Sequence, residues 1–335
     1  MIIKNLRKLC AIFTIAITLT ACGSNATDMK STESNGKTVT NEQSSKSTQD
    51  PSSVKIPTTK EIVDTLCSDE FEGRLTGSKG NEKAGEYVSK IFKDIGLTPL
   101  FSDSYYHKYY QDIGGENEET KIGLANNVIG VIKGKDSEKA VVISAHFDHA
   151  GYENGKIIRG ALDNASGMSA LIKVANDLKE KSKKKPFDMD IVICAFNGEE
   201  EGSAGSGEFV HDVTSKLLYQ NLYNINIDCI GSKKGGNLAL KNKSKVSDKL
   251  YSSIKTVLKE HNIEFRDTEV RGSSDHMSFE NEKIPNFFFV QENIEDLVHK
   301  PTDTPDTLNY EQIDKIANAI SDFVETNNGI MFEAK

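Results

Sequence analysis

Tryptophan is absent from the 335 residues, which by itself excludes little. Positive charge is short: 41 Lys and Arg face 50 Asp and Glu, for a net charge of -9. A nucleic-acid binder needs a basic face, so that class is excluded. Cysteine is sparse. Beyond the N-terminal segment only Cys67, Cys194 and Cys229 remain, an odd number at unrelated spacings, which is no disulfide framework. Cys194 lies inside an apolar run and reads as a small buried hydrophobe, and Cys229 reads as a core thiol rather than a metal ligand. Long apolar runs are also lacking, since Leu9–Leu19 is too short to span a bilayer comfortably. Residues 23–53 hold almost nothing apolar and cannot bury enough surface to order themselves. There is no internal repeat and no second break in composition, so residues 56–335 are expected to form one domain. The chain is 27% charged and 37% hydrophobic, a soluble balance.

At the N-terminus Lys4, Arg7 and Lys8 precede the apolar run, and Leu19-Thr20-Ala21-Cys22 follows it. This arrangement resembles the signal and lipobox of bacterial lipoproteins. The resemblance implies that residues 1–21 are removed as a signal peptide and that Cys22 is lipidated. Two acyl chains then anchor the protein stably to the cytoplasmic membrane, in an extracytoplasmic location. Residues 22–55 would be a disordered tether with a reach of roughly 30 Å.

The rest of the chain is organised around residues 141–206, where VVISAHFDHAG, GALDNASG and IVICAFNGEEEGSAGS follow one another. Val141–Ala145 and Ile191–Phe196 are unbroken apolar runs, as fully buried strands are. Strands are expected at 105–113, 126–133, 139–147, 189–196, 221–229, 265–270 and 286–291, with a short surface strand at 156–159. Helices are expected at 59–67, 81–96, 164–178, 205–212, 246–261 and 311–324. The helix at 81–96 has Ala84, Val88, Ile91, Phe92 and Ile95 at helical spacing and Gly96 as its C-cap. This alternation predicts an α/β fold, a three-layer α/β/α sandwich around a mixed, mostly parallel sheet.

Metal-capable residues recur where the strands end: His146, Asp163, Glu199-Glu200, Asp228, His276 and His299. Singly, each has an ordinary alternative. A histidine after a strand is usually structural, and paired glutamates are usually a solvated face. Jointly they are brought to one edge, because strand ends of an open α/β sheet carry the site. Imidazole plus carboxylates suit hard or borderline divalent ions, with zinc foremost.

The chain resembles the co-catalytic di-zinc exopeptidases, metallopeptidase family twenty-eight, over roughly Leu66 to Asn309. The residues that carry the likeness are Glu72-Gly73-Arg74-x-x-Gly77-Ser78, His146-x-Asp148, Gly160-Ala161-x-Asp163-Asn164-x-Ser166-Gly167, Glu199-Glu200-x-Gly202, Asp228, Ser274-Asp275-His276 and His299-x-x-x-Asp303-Thr304. The resemblance implies two zinc ions per chain, bridged by Asp163. His146 and Asp228 would complete one ion, and Glu200 and His299 the other. Glu199 would be the general base for a water activated between the ions, and Asp148 would orient His146. The family spacing before Gly202 selects Glu200 as the ligand and leaves Glu201 spare. The same pattern makes His276 a wall residue and implies a cis peptide at Asp163–Asn164. His149 reads as a rim residue.

Some relatives carry an oxyanion-stabilising tyrosine where this chain has Arg271. The span from Leu97 to Lys139 is too short for the protease-associated domain that many relatives insert there. The implied function is a zinc exopeptidase acting on peptide substrates, an aminopeptidase first. A glutaminyl cyclase using one zinc, and carboxypeptidase or dipeptidase action on the same site, are alternatives from the same fold. A non-catalytic binding lipoprotein would have little reason to keep Glu199 beside the whole ligand set.

Overall fold

A computed structural model describes residues 54–114, 121–269 and 272–332. The expectations for the signal peptide, Cys22 and nearly all of the tether, and for Arg271, therefore lie outside the described residues. In chain order the strands are β1 (Thr98–Pro99), β2 (Tyr106–Ile113), β3 (Lys121–Ile132), β4 (Lys139–His146), β5 (Tyr152–Glu153), β6 (Lys156–Ile157), β7 (Asp190–Phe196), β8 (Asn221–Ile227), β9 (Leu238–Ala239), β10 (Phe265–Arg266) and β11 (Asn286–Phe289). The α-helices are α1 (Thr59–Leu66), α2 (Lys79–Ile95), α3 (Gly167–Lys184), α4 (Ala204–Ser215), α5 (Asp248–Glu260), α6 (His276–Asn281) and α7 (Tyr310–Thr326).

The main sheet runs β1-β3-β7-β4-β8-β11, with β2 paired to the far stretch of β3. β7, β4, β8 and β11 are mutually parallel, and β1, β2 and β3 join antiparallel. Every residue of β7, and all but the first of β4, is buried, because helices cover both faces. One apolar layer brings α1, α2, α3, α5 and α7 against the sheet through residues such as Val88, Leu171, Ile254 and Ile320. On the other face Phe209 of α4 and Phe279 of α6 pack over Val142 and Phe196. The expected three-layer architecture is what forms.

Local chemistry explains the helix ends. The Thr58 side chain accepts from the backbone N of Glu61, whose carboxylate caps Thr58 in return. Such a box satisfies donors that the first helical turn leaves free. The helix α2 ends at Gly96, whose φ of 85° is the left-handed C-cap that a residue with no Cβ adopts readily.

Three differences from the sequence expectations stand out. The helix expected from Asn164 begins at Gly167, because Asp163 and Asn164 have non-helical φ/ψ and a cis peptide joins them. The strand expected at 265–270 is two residues long. The six-residue helix α6, too short to show a period, was not expected.

Candidate metal centre

The parallel neighbours β7, β4 and β8 end side by side. His146 is the last residue of β4, Asp228 follows β8, and Glu199 and Glu200 follow β7 by three and four residues. The Gly160–Gly167 loop brings Asp163 across these ends. Asn164 fixes it there: its Nδ2 donates to the Ile227 carbonyl at 3.0 Å, and its Oδ1 accepts from the backbone N of Gly167 (3.0 Å) and of Cys229 (3.3 Å). Arg74, fully buried, ties the same loop to β4. Its Nε donates to the Phe147 carbonyl (2.8 Å), Nη1 to those of Leu66 (2.6 Å) and Arg159 (2.8 Å), and Nη2 to that of Gly160 (2.9 Å).

Two donor groups result, and they share one carboxylate. In the first, His146 Nε2 stands 3.3 Å from Asp163 Oδ1 and 3.5 Å from Asp228 Oδ1. In the second, His299 Nε2 stands 3.0 Å from Asp163 Oδ2 and 2.8 Å from Glu200 Oε2. His149 belongs to this second group, with Nδ1 2.6 Å from Glu200 Oε1. Behind His146, Asp148 lies under Nδ1, with its carbonyl at 3.3 Å and Oδ1 at 3.6 Å. The other Asp148 oxygen accepts from the backbone N of Glu200 at 3.1 Å. The structure thus brings together His146, Asp148, Asp163, Glu199, Glu200, Asp228 and His299. It corrects the expectation for His149, which is fully buried rather than on the rim. His276 belongs to neither donor group; its ring stacks on Phe288 at 4.2 Å, as the wall of an adjoining cavity.

The donor set fits divalent ions. His146 Nε2, Asp228 Oδ1 and Asp148 Oδ1 are buried and have no hydrogen-bond partner among the described residues, an expensive condition unless something else satisfies them. The electrostatics agree. Burial works against a charge on His146, yet Asp228, Asp148 and Asp163 outweigh it and raise its pKa well above the ordinary value. Burial likewise opposes the Asp163 carboxylate, but His146 and His299 hold its pKa well below the usual range. For Glu200, burial and Asp163 push up, and the hydrogen bonds from His149 and His299 win, taking it down to about 2. Glu199 is pushed up to about 10, first by burial and further by Asp228, Asp275 and Asp148, with His146 opposing. These shifts come from burial and the protein's own charges; a divalent cation beside Glu199 acts in the opposite sense, toward the carboxylate.

A cleft of about 340 Å³ opens at the groups, lined by Asp163, Glu199, Asp228 and His299 and by the apolar Phe288, Val290, Ile294 and Val298. Asp303, four residues after His299, accepts from the backbone N of Leu162 (2.7 Å) and of Asp163 (3.1 Å). Sequence reasoning placed Asp303 and Arg74 in motifs without seeing either task.

Comparison with known proteins agrees with this geometry. The model of Peptidase family M28 matches residues 127–324, more than half of the chain, and the chain belongs to that family. Aminopeptidase YwaD of Bacillus subtilis (strain 168) is 27% identical over 206 residues, which are 59% of this chain and 43% of that protein. The chain therefore matches less than half the length of that relative. Among solved structures, BSAP, a zinc aminopeptidase from Bacillus subtilis, superposes with a TM-score of 0.67 at 16% identity, covering 84% of this chain and 98% of that one. A glutaminyl cyclase from Fimbriiglobus ruber superposes with a TM-score of 0.64 at 19% identity, covering 82% and 95%. At such identities the structural likeness speaks for the fold alone.

Proposed function

We propose that this chain is a two-zinc aminopeptidase. The observation that carries the reading is the division of Asp163, whose Oδ1 faces the first donor group and Oδ2 the second. His146, Asp163 and Asp228 would hold one ion, and Asp163, Glu200 and His299 the other. Zinc bound there would supply Lewis acidity toward a carbonyl and make water acidic near neutral pH. Glu199, lining the cleft between the ligands, takes the proton of the attacking water and returns it to the leaving amine. Asp148 keeps His146 oriented from behind.

Charge also bears on which end of the peptide is cut. Apart from the groups given to the ions and the water, the charged side chain among the described residues lining the cleft is Glu295, and no Lys or Arg is among them. That carboxylate, with no described cation beside it, supports binding of a substrate's ammonium over its carboxylate, and so an aminopeptidase over a carboxypeptidase. A complete five-residue ligand set likewise favours two ions over the one expected of a glutaminyl cyclase. The lipobox-like Leu19–Cys22 supports an extracytoplasmic, lipid-anchored protein.

The test is zinc content and hydrolysis of aminoacyl-p-nitroanilides by the same preparation. Two ions per chain with release of nitroaniline are expected. A single tightly held ion with cyclisation of N-terminal glutamine would replace this reading with the cyclase.

A further inference from the structure

His149 is built into the second donor group with more care than a chance neighbour needs. Its ring is fully buried. Its backbone N donates to the Arg74 carbonyl at 3.2 Å, the same residue whose guanidinium fastens the Asp163 loop. The ring lies against Gly160, where a Cβ would come within 2.4 Å of His149 Cδ2. The glycine that opens the Asp163 loop is thus also the seat of this imidazole.

From that seat Nδ1 reaches Glu200 Oε1 at 2.6 Å. A carboxylate only accepts, so the proton of this bond sits on Nδ1. Glu200 Oε2 is the oxygen turned to His299, at 2.8 Å. The two carboxylate oxygens are therefore sorted, one to each histidine. His149 Nδ1 is 4.0 Å from the shared Asp163 Oδ2, whereas His299 Nε2 is 3.0 Å from it. His299 faces the point where both carboxylates converge, and His149 stands behind one of them.

We infer that His149 is a positioning residue of the second ion site: its Nδ1–H holds Oε1 of Glu200, so that Oε2 is presented to the ion beside His299 and Asp163. Together with the bond from the backbone N of Glu200 to Asp148, this fixes the ligand at both ends. Groups that orient a metal ligand typically change affinity about 10–100-fold when lost. The inference rests on the two-ion reading.

The test measures stepwise zinc binding by chelator competition, and the visible spectrum of the cobalt form, on the full chain and its variants. His149→Leu is expected to weaken one of the two ions about 10–100-fold, leave the other unchanged, and keep the cobalt coordination bands. His149→Asn, whose amide can donate from nearly the place of Nδ1, is expected to recover most of the affinity. Wild-type affinity for both ions in His149→Leu would overturn the inference alone. Cobalt bands showing a lost imidazole, without rescue by Asn, would make His149 a ligand and overturn it too. If His149→Leu does not fold, His149→Asn decides: retained affinity supports the inference, and loss of one ion overturns it. One ion in the wild-type chain would remove the two-ion reading and the inference with it.

Discussion

Asp303 receives hydrogen bonds from the backbone N–H groups of Leu162 and Asp163, at 2.7 and 3.1 Å. The segment that supplies His299 therefore also holds the shared carboxylate in place. Asp303→Asn can keep one of these bonds at most with its single acceptor oxygen. It is expected to weaken both ions by about 10-fold or more, with the fold retained. Zinc affinities unchanged at both sites would show that the loop holds Asp163 unaided.

The three glutamates after β7 should separate by signature. Glu199→Gln should keep both zinc ions and lose about 10²–10⁴-fold in turnover, as a lost general base does. Glu200→Gln should lose affinity for one ion, because an amide is a poorer ligand. Glu201→Gln should change neither. Zinc content and nitroanilide hydrolysis on the same three samples check this, and a loss of metal in Glu201→Gln would move the register by one residue.

Arg74 directs four bonds to backbone carbonyls from a fully buried position. Lysine has three donors and no planar fork, so it cannot reproduce them. Arg74→Lys should cost about 1.5–3 kcal/mol for each carbonyl bond that is lost, the range for hydrogen bonds from a charged group, and be read as a lower urea midpoint in metal-free protein. A change under about 1 kcal/mol would mean that water replaces the missing bonds.

His276 titrates at about 3 in the folded chain, lowered by burial and then by Lys243. The unfolded chain binds the proton near the ordinary value of about 6.5. Between these values the unfolded state carries more protons, so this contribution to stability is present above about pH 6.5 and is lost as pH falls toward 3. His276→Gln in metal-free protein should flatten the fall in stability over that window by up to about 1.4 kcal/mol per pH unit. Parallel curves for variant and wild type would contradict the shift.

For the proposed lipid anchor, Cys22→Ala should move the protein from membranes to the soluble fraction while hydrolysis persists. Unchanged membrane fractionation would point to a different attachment.

The scaffold was legible because β4 and β7 are buried on both faces, which writes each as an unbroken apolar run ending in ligands. The shared Asp163 stood out through the glycines around it. His149 was misplaced because its seat, Gly160, lies eleven residues further on, and sequence gives no measure of that approach. The start of α3 was misread because Asp163 and Asn164 leave helical geometry to serve the site. The helix α6 was missed because a turn and a half shows no periodicity.

The donor set is drawn from five separate stretches, the last of them at His299, near the end of a 335-residue chain. No short fragment holds enough of these groups to bind metal at this site. A chain still emerging from the ribosome consequently carries no finished centre. The second donor group is complete only once the segment bearing His299 has reached Asp163 and Glu200.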